Sequence, residues 1–206
     1  MMQDGFWREL LELTLEHVVL VLVALTIASL LGIPAGIALS RNARSRPFVL
    51  GFANIMQTIP SLALFGFLIP LPFIGGIGKR TAIVALVLYA LLPILRNTLT
   101  GLLGIDPAVL ESAVAMGMTD RQRLMRVELP MAARTIIAGV RVAAVTTVGT
   151  ATIAAAIGGG GLGVFIFRGL ASVDARQILS GAVPAALLAL LADGGLGWLE
   201  RRFSPR

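Results

Sequence analysis

The sequence predicts an all-α membrane protein of about five transmembrane helices, and three observations carry that prediction. Of the 206 residues, 57% are hydrophobic and only 14% are charged, whereas about a quarter of an ordinary soluble domain is charged. Mean hydropathy is +0.90. The apolar residues are also gathered into long blocks. A helix rising about 1.5 Å per residue needs roughly 20 residues to cross about 30 Å of hydrocarbon, and these blocks are that long.

Composition excludes several function classes as well. The net charge of +6 could suggest a nucleic-acid partner, but the basic residues sit at the ends of apolar blocks rather than along one face. With no cysteine there is no disulfide framework, thiolate nucleophile or thiolate metal site, and the single histidine, His17, cannot build a His-rich one.

Five spans follow in order, at residues 17–40, 47–71, 81–103, 134–157 and 177–199. Ahead of the first, Asp4, Glu9, Glu12 and Glu16 stand against only Arg8. A cleaved signal peptide has a basic leader, so this block is expected to stay as a span. His17 reads as an external interfacial residue. Gly32 and Gly36 have the spacing that allows close helix approach, though one pair is too little to argue dimerisation. Pro34, Pro60, Pro93 and Pro184 lie inside spans and are expected to kink or interrupt them. In the third and fourth spans Arg96, Arg134 and Arg141 lie near one end, where long side chains can snorkel. Arg141 is the deepest and can pair with a carboxylate; Asp193, near the end of the fifth span, is an available partner.

Alternate connections lie on one side of the membrane. Arg41, Arg44 and Arg46 in the first connection, Arg121, Arg123 and Arg126 in the third, and Arg201, Arg202 and Arg206 in the tail therefore share a side. The other side receives the acidic N-terminus, Lys79 with Arg80, and Asp174 with Arg176. The positive-inside rule puts the N-terminus outside, the C-terminus in the cytoplasm, and the long connection 104–133 in the cytoplasm too. No connection is long enough to be a folded domain, so residues 1–206 read as a single transmembrane domain.

That long connection contains DPAVLESAVAMGMTDRQRLMRVELP, residues 106–130. Asp106 is a good N-cap, with Pro107 at the first helical position. Gly117 suits the left-handed residue that closes a helix, and Thr119 with Gln122 has the form of a capping box for the next. Leu129 precedes a proline, which disfavours an unbroken helix there. In the first of these short helices Leu110, Ala113, Val114 and Gly117 give a small-residue apolar face, with Glu111 projecting elsewhere. Such a helix can enter another protein's groove, lie on the membrane or pack under its own bundle.

Glu111, Ser112 and Ala113, then Gly117, then Val127, Leu129 and Pro130 resemble the glutamate-alanine-alanine, glycine, isoleucine-x-leucine-proline signature of permease subunits of binding-protein-dependent ABC importers. Ser112 stands in place of the first alanine and Val127 in place of the isoleucine. The resemblance implies a type I, methionine-importer-like permease fold, with these residues forming coupling helices that dock in a cytoplasmic ATPase. Cofactors would then be absent from this chain, with ATP and Mg held by the partner. It further implies an external solute-binding protein and a second permease copy or paralogue.

Four strings, IMQTIPSLALFGFLIP (55–70), LYALLPILRNTLTGL (88–102), GTATIAAAIGGGGLGVFIFRGL (149–170) and AVPAALLALLADGGLG (182–197), are similar to the osmoprotectant branch of that family, which imports glycine betaine, choline and carnitine. Aromatic faces hold quaternary ammonium groups, yet aromatics are only 6% of the chain and Tyr89 is its one tyrosine. A strong cage is therefore expected in the receptor. Gln57, Thr58, Ser61 and Tyr89 are candidates for lining the passage, because polar groups within apolar spans face a bundle interior or a cavity. Packing and helix-to-helix hydrogen bonding are the competing roles for each.

Two motifs mislead. Gly158, Gly160 and Gly163 satisfy GxGxxG, but no strand is predicted before them, and a tight external turn or short re-entrant gate fits better. GGIGKRT (75–81) has Phe73 in place of the upstream glycine of a Walker motif and Arg80 in place of its Ser or Thr. The competing readings of the whole are an importer of another small solute such as an amino acid, and an ATP-independent secondary transporter or channel component.

Overall fold

The computed structural model describes residues 2–203, and every regular element among them is helical. Arg206 and the side chain of Asp4, both used above, lie outside the described residues. The elements are α1 (Met2–Arg41), α2 (Arg46–Thr58), α3 (Ser61–Leu68), α4 (Lys79–Leu103), α5 (Pro107–Ala115) and α6 (Asp120–Arg123). A π-helical turn (Leu124–Glu128) then leads into α7 (Leu129–Ala151), a 3-10 turn (Ile153–Ile157), α8 (Gly163–Ser172) and α9 (Ala175–Arg202). Among the described residues four continuous helical stretches are long and apolar enough to cross a membrane: α1, α4, the run Asp120–Ala151, and α9. α2 and α3 together make a fifth, bent by 103°.

α4 is the centre of the bundle. It packs against α1, α2, α3 and α7, and α7 in turn carries α9, which carries α8. The core joins Leu20, Ala24 and Ala28 of α1, Leu64 and Phe65 of α3, Ala85, Leu86 and Ile94 of α4, and Ala143 and Ala151 of α7. Small residues set how closely the helices approach, as packing within a membrane requires. A Cβ on Gly32 would lie 2.9 Å from Ile94, one on Gly36 2.7 Å from Thr98, and one on Gly139 2.5 Å from Asn97. The Gly32 to Gly36 pair therefore seats α1 on α4 of the same chain.

The prolines divide. Pro60 interrupts its span: Ile59 before it is extended (φ −69°, ψ 127°), the conformation that proline imposes on its predecessor. Pro34, Pro93 and Pro184 instead lie inside continuous helices. Leu129 does not end a helix either. The chain runs through Pro130 because the turn before it widens to π geometry, in which the Leu129 N–H donates to Leu124 O. A π turn takes up the lost hydrogen-bond register locally.

α1 is longer than its predicted span, at 40 residues. Its extra N-terminal turns dock on α8, where the Phe6 and Phe165 ring centroids are 5.7 Å apart. His17 is consequently not interfacial. It is fully buried, with Nε2 3.1 Å from Val148 O, and the turn at Gly161 closes over its Nδ1.

Candidate functional site

The segment between α4 and α7 is built by its caps. Asp106 Oδ1 accepts from the Ala108 N–H at 2.9 Å and starts α5. Gly117 closes it at φ +77°, with Gly117 N donating to Val114 O and Met118 N to Ala113 O. This is the pair of bonds that satisfies the last carbonyls of a helix through a left-handed residue. The capping box forms as expected: Thr119 N donates to Gln122 Oε1 at 2.9 Å and Gln122 N to Thr119 Oγ1 at 3.3 Å.

Leu110, Glu111, Val114 and Ala115 of α5, with Arg123 of α6, line an open groove of about 460 Å³. Glu111 thus shares a face with Leu110 and Val114, while Ala113 turns inward and is 1% exposed. At about 100° per residue, positions 110, 111, 114 and 115 form one arc and 113 falls outside it. Ser112 is exposed, and its hydroxyl donates to Ala108 O at 2.7 Å. Val127, Leu129 and Pro130 are not on this groove. They lie in and just after the π turn, where Val127 and Leu129 are half-buried.

One residue of this segment escaped the sequence reading. Glu128 is 3% exposed; its Oε2 accepts from Arg41 Nη2 at 2.5 Å and its Oε1 from Arg123 Nε at 2.8 Å. Arg123 also pairs with Asp120 at 3.1 Å. The available signal was a glutamate between Val127 and Leu129, at an apolar stretch of helix where an unpaired carboxylate would be costly.

The candidate lining residues gather at the break between α2 and α3. Pro93 lacks an N–H, which strips the Tyr89 carbonyl of its helical partner. Gln57 Nε2 donates to that carbonyl at 2.9 Å. The Tyr89 hydroxyl in turn donates to Ile59 O, the carbonyl released by the bend. Thr58 Oγ1 donates to Ile55 O at 2.8 Å, and Ser61 begins α3, half-buried. Gln57 and Thr58 are exposed. Two of the four therefore clamp backbone carbonyls, Gln57 the one that Pro93 leaves without its helical partner and Tyr89 the one at the bend.

Arg141 does pair with Asp193, in a bidentate contact at 2.6 and 2.8 Å, and also donates to Glu200 at 3.2 Å. Arg134 lies 3.7 Å from Glu200. This network ties α7 to α9 beside a cavity of about 310 Å³ lined also by Val142, Val145 and Thr146. Gly197 makes room for the guanidinium, since a Cβ there would lie 3.1 Å from it. At the other end of the bundle Glu9 pairs with Arg168 and Glu16 with Lys79. Glu16 Oε2 also accepts from the Gly161 N–H at 3.3 Å. The Gly158–Gly161 stretch follows a 3-10 turn and not a strand, with left-handed backbone at Gly158, Gly160 and Gly161.

Residues 28–205 match the family model described as binding-protein-dependent transport system inner membrane component. The chain is 45% identical over 197 residues to the choline transport system permease protein OpuBB of Bacillus subtilis (strain 168), covering 96% of this chain and 89% of that one. It is 44% identical to the glycine betaine/carnitine/choline transport system permease protein OpuCB of the same organism, with 96% and 90% covered. To the osmoprotectant import permease protein OsmW of Salmonella typhimurium (strain LT2) it is 43% identical, with 96% and 93% covered. Among solved structures it resembles the inward-facing MetNI methionine ABC transporter, with a TM-score of 0.88 and 25% identity over 100% of both chains. An amino acid ABC transporter shares the fold at a TM-score of 0.78 and 17% identity, with 98% and 97% covered. The five-span bundle is thus the type I ABC importer permease fold, and the chain belongs to the family of binding-protein-dependent transport system inner membrane components.

Proposed function

We propose that this chain is the membrane-spanning subunit of an ATP-driven importer of osmoprotectants of the glycine betaine, choline or carnitine type. The observation that carries the substrate class is identity of 43–45% over 96% of the chain to permeases named for those solutes. The chain performs no covalent chemistry. ATP and Mg belong to a cytoplasmic ATPase, an external solute-binding protein delivers the solute, and a second permease copy or paralogue completes the pathway.

The groove on α5, with Glu111, is the surface offered to the ATPase, with Ser112 exposed beside it and Gly117 closing the helix, while buried Ala113 seats α5 on its own chain. Val127, Leu129 and Pro130 join that surface to α7. In this reading the arginine-rich end faces the cytoplasm, and the N-terminus lies outside. Gln57, Thr58, Ser61 and Tyr89 border the solute's passage where the second span breaks. ATP acts because the ATPase dimer binds it better in one state, and the docked helices pass that preference to the spans.

The test is uptake of radiolabelled glycine betaine and choline into vesicles holding the permease with its ATPase and receptor. ATP-dependent uptake is expected, with loss of ATPase association in Glu111→Lys. Accumulation driven by an ion gradient without the ATPase would refute the proposal. Import of an amino acid is the second reading, favoured by the 25% identity to the methionine transporter. Receptor binding of methionine in preference to quaternary amines would establish it.

A further inference from the structure

Glu128 is the one acidic side chain among the described residues that is buried, and its two carboxylate oxygens are divided between two elements. Oε2 takes Arg41, the last residue of α1, and Oε1 takes Arg123, the last residue of α6. Glu128 itself ends the π turn that opens α7. One carboxylate thus joins the end of the first span, which is distant in sequence, to the adjoining α6 and the start of the fourth span.

The surrounding contacts make this junction matter. α5 packs on α6, and α6 packs on the π turn, which is continuous with α7. The route from α6 to α7 is therefore covalent, but α1 is linked to neither by sequence. α1 packs on α7, with Ile33 and Ile37 against the cluster that holds Ala132 and Ile136, and ion pairing through Glu128 adds a charged tie from the last residue of α1 to α6 and the π turn. A buried carboxylate is stable only when paired, so the bond is two-sided: Glu128 needs the arginines as much as they are held by it. π turns within α-helices recur at functional positions because they are local irregularities that can shift register.

We propose that Glu128 is a positioning residue for energy coupling, binding the end of α1 to the α5–α6 segment so that the first span moves with the helices that receive the ATPase. This rests on the reading of α5 and α6 as the ATPase dock. It adds that α1 is driven through Arg41 and Glu128, while Arg123 keeps α6 registered on the same carboxylate.

The test uses the assembled complex of permease, ATPase and receptor in vesicles, with solute uptake and ATP hydrolysis measured on one preparation. Glu128→Gln is expected to lower solute moved per ATP hydrolysed by about five-fold or more, the lower end of ordinary coupling between sites. Arg41→Gln, at a half-exposed position that tolerates change, lowers the same ratio. The double variant is no worse than Glu128→Gln alone, and Glu128→Asp restores most of the ratio. A purely structural role would reduce the amount of complex and leave the ratio unchanged. If Glu128→Gln fails to assemble, Arg41→Gln decides. An unchanged ratio in the variants that assemble overturns the proposal. Failure of the dock reading is separate, because it appears as ATPase association surviving Glu111→Lys.

Discussion

At the scale of single residues, the structure distinguishes glycines and charges that sequence treats alike. Gly139 and Gly149 both lie in α7, yet a Cβ on Gly139 would meet Asn97 at 2.5 Å and Pro93 O at 2.9 Å, whereas nothing lies within 4 Å of one on Gly149. Gly139→Ala is expected to destabilise the α4–α7 crossing by about 1–3 kcal/mol, the cost of forcing extra atoms into a packed contact. Thermal unfolding in detergent measures this, with Gly149→Ala as the control that stays within about 1 kcal/mol of the parent. The charge network makes a second prediction. Arg141→Gln and Asp193→Asn each loosen α9, and their combination is expected to cost less than the sum in a double-mutant cycle. Additive effects would mean that the bidentate pair contributes nothing. The Arg141 to Asp193 pairing was legible because both are ionisable groups inside apolar blocks. For Glu128 the apolar neighbours signalled a need for partners, but one of them, Arg41 of α1, lies far outside residues 106–130, so spacing within that segment does not identify it.

At the scale of elements, apolar block length and turn chemistry were enough for most of the bundle. The caps at Asp106, Gly117 and Thr119 form as their residue types require, because capping is decided within four or five residues. The predicted third and fifth spans, 81–103 and 177–199, fall within α4 (Lys79–Leu103) and α9 (Ala175–Arg202). What spacing missed depends on tertiary partners. A proline predicts a lost hydrogen bond, but the helix bends by 103° at Pro60 and continues at Pro93, a difference that tertiary packing and not the residue type sets. Gln57 meets Tyr89 O, which Pro93 leaves without its helical partner, and the Tyr89 hydroxyl meets Ile59 O at the bend. Tyr89→Phe keeps the ring and removes the donor, and is expected to cost about 1 kcal/mol, the usual net value of one hydrogen bond. Chemical denaturation of the detergent-solubilised chain checks this value, and no change would mean the hydroxyl is not holding the bend. The candidate lining set was therefore found together in space, with half of it engaged in holding the helices.

At the scale of the whole molecule, the alternation of connections inferred from charge is reproduced in space. Arg41 meets Glu128 and Arg134 approaches Glu200 at one end, while Glu9 meets Arg168 and Glu16 meets Lys79 at the other. The arginine bias at the first of these ends carries the proposed orientation. A fluorescent reporter fused after the C-terminus should be bright, as cytoplasmic fusions are, and alkaline phosphatase fused there should be inactive; the reverse pattern would invert the proposed orientation. The long first helix has a mechanical consequence. α1 is fastened partway along by Glu16 and at its end by Arg41, two points 25 residues apart and about 38 Å along the axis. A helix scarcely stretches, so the two fastenings keep their separation whatever the rest of the bundle does. α1 is in that sense a tie-rod, and displacement imposed at Arg41 reaches the Gly161 turn at the far face without a relay of side chains between them.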